Sequence, residues 1–195
     1  LRLVDKLKQC GTRTMLLDAT EAGAKLYRRF GFVETDRVGV YRGRATQSAL
    51  SWPRFAGTVQ SSELGLALAE VAGLDRRVFG CDRRRLLERF VQEVDCPVAI
   101  ARDRSEEICG YALLRKATLG PWVATSPAAA GALLGALEVC AAPTSAFVPQ
   151  SNAAATALAD SLGLLLDRSL AHMVWGAASP IRRDWLYGQA SLGTG

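Results

Sequence analysis

Histidine occurs once in the 195 residues, methionine twice, and no two of the five cysteines form a CxxC pair. Cys10, Cys81, Cys96, Cys109 and Cys140 are scattered, and with His172 the single imidazole the usual zinc ligand sets are excluded. No run of eighteen apolar residues is present and no charged-then-apolar leader opens the chain, which predicts a soluble, cytoplasmic protein with reduced thiols and no membrane partner. Long blocks of like charge are missing too. The 24 Lys and Arg against 19 Asp and Glu give +5, spread as "LYRRF", "LDRRVFGCDRRR" and "IRRDW". Such short pairs face solvent, so nucleic acid is not an expected partner, whereas an acidic or phosphorylated small molecule suits the charge. What remains, 49% apolar and 22% charged residues, is a globular mixture able to bury a core.

Along the chain, residues 1–9 carry Leu1, Val4 and Leu7 at helical spacing. Residues 15–18 read as a strand, Thr20 as an N-cap, and 22–30 as a helix with Leu26 and Phe30 inward, ended by Gly31. A strand follows at 38–41, then a Gly-, Ser-, Thr- and Pro-rich stretch without sustained period. Domain boundaries are therefore placed at 1–44, a linker at 45–62, and 63–195. Helices are expected at 63–72 and 84–94, the second capped by Asp82. A hairpin joins 98–102 to 108–114 through "DRSEE", and a strand at 120–124 feeds a helix at 127–140 that opens on Pro127, where a missing N–H costs nothing. Ser126, Pro127 and Glu138 bracket its Ala-rich middle, which marks a buried core helix.

The segment "AFVPQSNAAATALADSLGLLLD" then repeats the opening "LLDATEAGAKLYRRFGFVETD". Leu26 and Leu158, and likewise Gly31 and Gly163, are separated by 132 residues, and the same offset places Thr20 on Asn152 and Phe32 on Leu164. The first copy thus reads as the tail of a unit whose front precedes residue 1. A lone strand-helix-strand cannot bury both faces, so residues 1–44 should pack against the rest of the chain or a second copy, which makes a homodimer a candidate assembly.

Strand, "LYRRFGF", strand resembles the closing segment of the GNAT superfamily of acyl-CoA-dependent N-acyltransferases, with its LYxxxGF signature. The wording is similar to the first domain of bacterial tandem GNAT proteins; "VFGCDRRRLL", "GYALLR", "LGPWVA" and "YGQASLGTG" resemble their second. The resemblance implies an α/β fold with a mixed, mostly antiparallel sheet flanked by helices, preceded by the C-terminal fragment of another GNAT domain, and acetyl-CoA as cosubstrate. It implies that the cofactor enters where the sheet splays between its fourth and fifth strands. The matching positions are Val123, Ala124, Thr125 and Gly131, with Asn152 along the pantetheine arm. The family's Arg/Gln-x-x-Gly-x-Gly/Ala phosphate loop is replaced there by "VATSPAAAG", whose Pro127 removes a donor. The catalytic tyrosine maps onto Tyr27, a leaving-group acid in the family, while its counterpart at the second copy is Ala159.

Each of these has a plainer explanation: Tyr27 as a surface tyrosine, Asn152 as an ordinary N-cap, Asp82 as a cap and Arg83 as a surface cation. His172, in "LAHMVWG", is a packed strand histidine or a general base; Cys109 is a small apolar strand residue; Trp122 packs or lines the splayed gap. Two functions stay open: an acetyl-CoA-dependent N-acetyltransferase for a small amine, and a non-catalytic acetyltransferase-like module that covers an acceptor site or dimerises.

Overall fold

The computed structural model describes residues 2–44, 54–62, 64–90, 92, 98–138 and 143–193. Sixteen elements follow in order: α1 (Arg2–Gln9), β1 (Thr14–Ala19), α2 (Glu21–Arg28), β2 (Val33–Arg42), β3 (Thr58–Ser62), α3 (Leu64–Phe79), α4 (Arg84–Phe90), β4 (Val98–Arg102), β5 (Ile108–Arg115), β6 (Thr118–Ala124), α5 (Pro127–Glu138), β7 (Ser145–Pro149), α6 (Ala153–Ser161), β8 (Leu165–Gly176), the 3-10 turn Arg183–Trp185 and β9 (Leu186–Gly188). The strands form one sheet in the order β1-β8-β2-β7-β6-β5-β4-β3, with β9 paired to β6. It is mixed and mostly antiparallel, as expected; the parallel pair is β6 with β7, joined by a crossover through α5.

Strand alternation sorts the core into layers. Val98, Ile100, Tyr111 and Leu113 pack under α3 and α4, while Ala99, Ala101, Ala112 and Leu114 face α5 and α6. The small residues on that second face continue as Ala129 and Ala130 of α5 and Ala155 and Ala159 of α6, which lets these helices lie close to the sheet. A third cluster places α1 and α2 over β1 and β8, with Val4, Met15, Ala24, Phe32, Ala171 and Met173 buried.

The first 44 residues are interleaved with the rest. β8 lies between β1 and β2, and β2 lies between β8 and β7, so each strand-helix-strand unit places its closing strand inside the other. The 132-residue offset recurs in atomic detail. Thr20 Oγ1 accepts the Gly23 N–H as Asn152 Oδ1 accepts that of Ala155, and the Phe32 N–H reaches Tyr27 O at 3.2 Å as that of Leu164 reaches Ala159 O at 3.2 Å. Gly31 and Gly163 both adopt left-handed backbone, φ 86° and 75°. In the antiparallel β2–β8 pair, Val38 stands opposite Leu170, its own counterpart at that offset, and Arg37 Nε donates to Ser169 Oγ, again 132 residues on. A residue facing its own equivalent is what a local two-fold axis through an antiparallel pair requires.

Several boundaries differ from the sequence reading. β3 occupies the end of the stretch read as linker, and 45–53 lies outside the described residues. α3 runs to Phe79, beyond the expected end at Ala72, because Val71, Leu74 and Val78 continue the buried stripe. α4 is described to Phe90; Cys96 and Cys140 lie outside the described residues. Leu26 is not inward but exposed; the inner stripe of α2 is Ala24 and Tyr27, one turn apart.

Asp36 ties the interleaved units together. Its carboxylate accepts from Arg37 N–H (2.7 Å), Ser151 N–H (3.1 Å), Ser151 Oγ–H (2.5 Å) and Arg183 Nε–H. Burial pushes its pKa up, but the Ser151, Arg37 and Arg183 contacts outweigh it and hold the carboxyl below its ordinary value. A folded pKa below the unfolded one stabilises above the unfolded value, about 3.9, and that stabilisation is lost as pH falls through the folded value. Asp36→Asn should therefore cost about 1–3 kcal/mol at pH 7, and its melting temperature should depend less on pH below about 4 than that of the wild type. Parallel wild-type and variant curves through that range would contradict the assignment.

Candidate functional site

The splay implied by the resemblance is present. β6 and β7 pair through Thr118–Ser145 and Leu119–Ala146, where the Thr118 and Ser145 hydroxyls lie 2.9 Å apart, and then diverge. The gap that opens is filled by the chain itself. β9 pairs with β6 at Trp122–Gly188 and Val123–Leu186, and Gln189 bridges to Phe147 of β7, its N–H donating to Phe147 O at 2.8 Å. Two glycines allow this close approach: a Cβ at Gly120, whose φ is 148°, would sit 2.1 Å from Gln189 O, and one at Gly188 would sit 3.0 Å from Leu119 O. The Tyr187 ring occupies the space between the layers, fully buried and 5.4 Å from the Trp122 ring. Trp122 thus packs, with its indole N–H donated to Ala130 O at 3.3 Å.

The residues expected to hold acetyl-CoA are engaged in the fold. Val123 and Ala124 are buried strand residues, and the Thr125 N–H donates to Cys109 O at 2.8 Å. Asn152 caps α6 through Oδ1 and donates through Nδ2 to the carbonyls of Arg183, Asp184 and Leu186 at 3.3, 3.2 and 3.0 Å, in the turn before β9 and at its first residue. At the start of α5, Pro127 has no N–H, and the N–H groups of Ala129 and Ala130 bond Ser126 Oγ and O. Gly131 lies within α5, half-buried. An open pocket of about 420 Å³ lies beside this helix start, lined by Arg54, Arg104, Ser126 and Ala128, and its arginines would attract an anion. The β6–β7 gap, however, holds β9 where an acyl-pantetheine arm would run. The residues present do not fit acetyl-CoA there.

Tyr27 lies elsewhere. It is half-buried on α2, edge-on to Phe32 at 5.5 Å, and its hydroxyl has no hydrogen bond among the described residues. Between β1, under α2, and β6 stand β8, β2 and β7, four strand spacings or about 19 Å. Tyr27 and the expected cofactor residues are therefore not brought together.

His172 is brought to a different partner. It faces Asp18 across the β1–β8 pair, with Nδ1 2.7 Å from Asp18 Oδ1 and both side chains 3% exposed. A cavity of about 330 Å³ lies against this pair, lined also by Phe79, Cys81, Arg83 and Gln189. Arg83 is not a surface cation: it binds the buried Asp75 through Nε and Nη2 at 3.0 and 3.2 Å, and Tyr111 donates its hydroxyl to the same carboxylate. Burial raises the Asp75 pKa despite Arg83, and it raises that of the Tyr111 phenol further, with Asp75 adding to the effect. Asp82 caps α4 by accepting the Arg84 N–H at 2.9 Å, and Cys109 is buried with its thiol pushed up by burial. Asp18, Tyr187 and Gln189 were not singled out by the sequence. Asp18 is the last residue but one of β1 and meets a partner 154 residues away. No group of three or more candidate metal ligands occurs among the described residues, and none of their helices is long and apolar enough to cross a membrane.

The splayed, mostly antiparallel sheet with its crossover through α5 is the α/β architecture that the resemblance implies. The sequence model described as an acetyltransferase (GNAT) domain matches residues 71–188, more than half of the chain. The chain belongs to the GNAT acetyltransferase family. Among solved structures it is similar to a putative acetyltransferase from Pyrococcus horikoshii, at 24% identity and a TM-score of 0.75, over 100% of this chain and 65% of that one. It is similar at TM-score 0.57 to a GCN5-related N-acetyltransferase from Anabaena variabilis (12% identity, 89% of this chain, 48% of that one) and to Eis1 from Mycobacterium abscessus (18% identity, 89% and 50%). These likenesses concern the fold, and the chain spans about two thirds or less of each relative. No curated protein matches the sequence.

Proposed function

We propose that the chain is part of an acetyl-CoA-dependent N-acetyltransferase for a small amine, in which residues 63–195 form a non-catalytic acetyltransferase-like unit. The observation that carries this reading is β9 in the β6–β7 gap, with Asn152 donating to the carbonyl of its first residue, Leu186. Acyl transfer needs the thioester, donors for its carbonyl oxygen and a leaving-group acid within hydrogen-bond reach. The second unit has a filled gap and Ala159 at the acid's position. The unit of β1, α2 and β2 keeps Tyr27, and the outer edge of β1 pairs with no strand among the described residues. A parallel strand added there, by chain beyond residues 1–195, would recreate the splay beside Tyr27. Bound acetyl-CoA would supply an activated acyl group, and Tyr27 would give the proton that the departing thiolate needs.

In a protein of the relatives' full length, Tyr27→Phe should lower kcat on the order of a hundredfold or more, while the 195-residue chain should release no CoA from acetyl-CoA in the presence of amines. Equal kcat for Tyr27→Phe and wild type in the longer protein would overturn the assignment of Tyr27.

A further inference from the structure

We infer that the outer edge of β1 is a homodimerisation surface, on which the β1 of a second copy pairs antiparallel about a two-fold axis at Leu16. β1 is paired with β8 on one side and with no strand among the described residues on the other. Its register against β8 runs from Thr14 to Ala19 without a shift. The Ala177 N–H donates to Arg13 O at 3.0 Å, and an antiparallel ladder alternates. Met15, Leu17 and Ala19 therefore turn their N–H and C=O groups to β8, while those of Thr14, Leu16 and Asp18 point outward. Asp18 agrees with this: its side chain is 3% exposed and bonded to His172, yet the residue as a whole is only half-buried, so what it shows to solvent is backbone.

Natural sheets blunt an open edge with proline, lysine or a bulge. β1 has none of these, and its one charge is turned to His172. Met15, Leu16, Leu17 and Ala19 make it apolar, with Leu16 36% exposed, whereas the opposite edge, β3, has Val59 as its one apolar residue. The order of residues along β1 suits a second copy of itself. A two-fold axis normal to the sheet keeps each side chain on its own face, and residues opposed in a ladder share a face, so the axis passes through a residue and its own mate. Centred on Leu16, it sets Leu16 against Leu16, Met15 against Leu17 and Thr14 against Asp18, and every outward N–H of one strand meets an outward C=O of the other. Centred instead on Met15 or Leu17, the ladder loses an outward pair and sets Leu16 opposite Thr14 or Asp18. In the Leu16 register the two Asp18 residues lie about 14 Å apart along the ladder, beyond the roughly 8 Å screening length at physiological salt. The pairing closes the β1 edge of both copies, so assembly stops at two. A strand supplied by chain beyond residues 1–195 would take the same N–H and C=O groups, so the dimer is a property of the 195-residue chain and does not rest on the acetyltransferase reading.

Sedimentation equilibrium of the 195-residue chain should reach twice its mass of 20.9 kDa at high concentration, with a Kd on the order of 10 µM, the weak end that a short ladder with a small apolar contact supports. Hydrogen exchange locates the surface. The amides of Thr14, Leu16 and Asp18 should exchange slowly in the dimer and fast on dilution, while those of Met15 and Leu17, bonded to β8, stay slow in both states. Leu16→Lys opposes two like charges at the axis and should raise the Kd on the order of tenfold or more, with little change in the melting temperature of the dilute monomer, since the position is an exposed one on the edge. A chain that stays monomeric at millimolar concentration overturns the proposal, as does a dimer whose Thr14, Leu16 and Asp18 amides exchange fast, a dimer that Leu16→Lys leaves as tight as before, or open-ended growth beyond two copies. The wild-type exchange measurement decides by itself should the variant not fold.

Discussion

Replacing Tyr187 with alanine should destabilise the protein by about 3–5 kcal/mol, a fall of roughly 10 °C in melting temperature for a domain of this size. The residue sits in a strand of three residues, which offers few ladder hydrogen bonds of its own. Its surroundings hold it in place. The ring is 1% exposed and contacts Trp122, and β9 is held on one side by β6 and on the other by the Gln189–Phe147 bridge. Burial, with Asp184 adding to it, pushes the phenol up to about 12, so the side chain is neutral throughout the range in which the protein is handled. Truncation would leave a cavity between the diverging strands that the backbone of β6 and β7, paired elsewhere, cannot collapse to fill. Calorimetry on the variant reads the effect; a change below about 1 °C would mean that β9 is not a structural wedge.

An even larger loss is expected for Val38→Asp. Val38 is fully buried at the local two-fold axis, opposite Leu170, with β7 on its other side. A carboxylate there would stand directly opposite Leu170 and Pro149, neither of which can pair with it, and an unpaired buried charge costs upwards of about 4 kcal/mol. Because β2 is flanked by β7 and β8, the damage should reach both units at once. The variant should lose the near-ultraviolet dichroism of Trp122, four strands from β1, together with that of Trp175 on β8. Were residues 1–44 an appendage, residues 63–190 would keep their own melting transition in the variant.

These two residues also mark what the sequence could and could not disclose. The hairpin of β4 and β5, the crossover β6–α5–β7 and the two capped helices are local, and their alternation, proline and cap residues are visible in the chain. The offset between the two units was visible for the same reason, since Thr20, Asn152, Gly31 and Gly163 each act on their own turn. The exchange of β2 and β8 was not visible, because which of two similar strands enters which unit is decided by pairing at a separation of more than a hundred residues. β9 carries too few residues for any period to register. Leu26 departs from the tendency of a helical leucine to face the core, because Ala24 and Tyr27 take that stripe. The Asp18–His172 pair joins two strands that only the interleaving makes neighbours.

The claim that the chain's own β9 takes the place of the acyl-CoA arm is tested most directly by thermal melting of the 195-residue protein with acetyl-CoA. A ligand that binds only the folded state at a hundred times its Kd adds about 2.7 kcal/mol of stability, a rise of several degrees. The filled gap predicts no rise in melting temperature at acetyl-CoA concentrations up to about 1 mM, where binding with Kd near 10 µM would give that full effect. A saturable rise of several degrees, absent with free acetate and adenosine, would show that the cofactor enters residues 63–188 and would contradict the account.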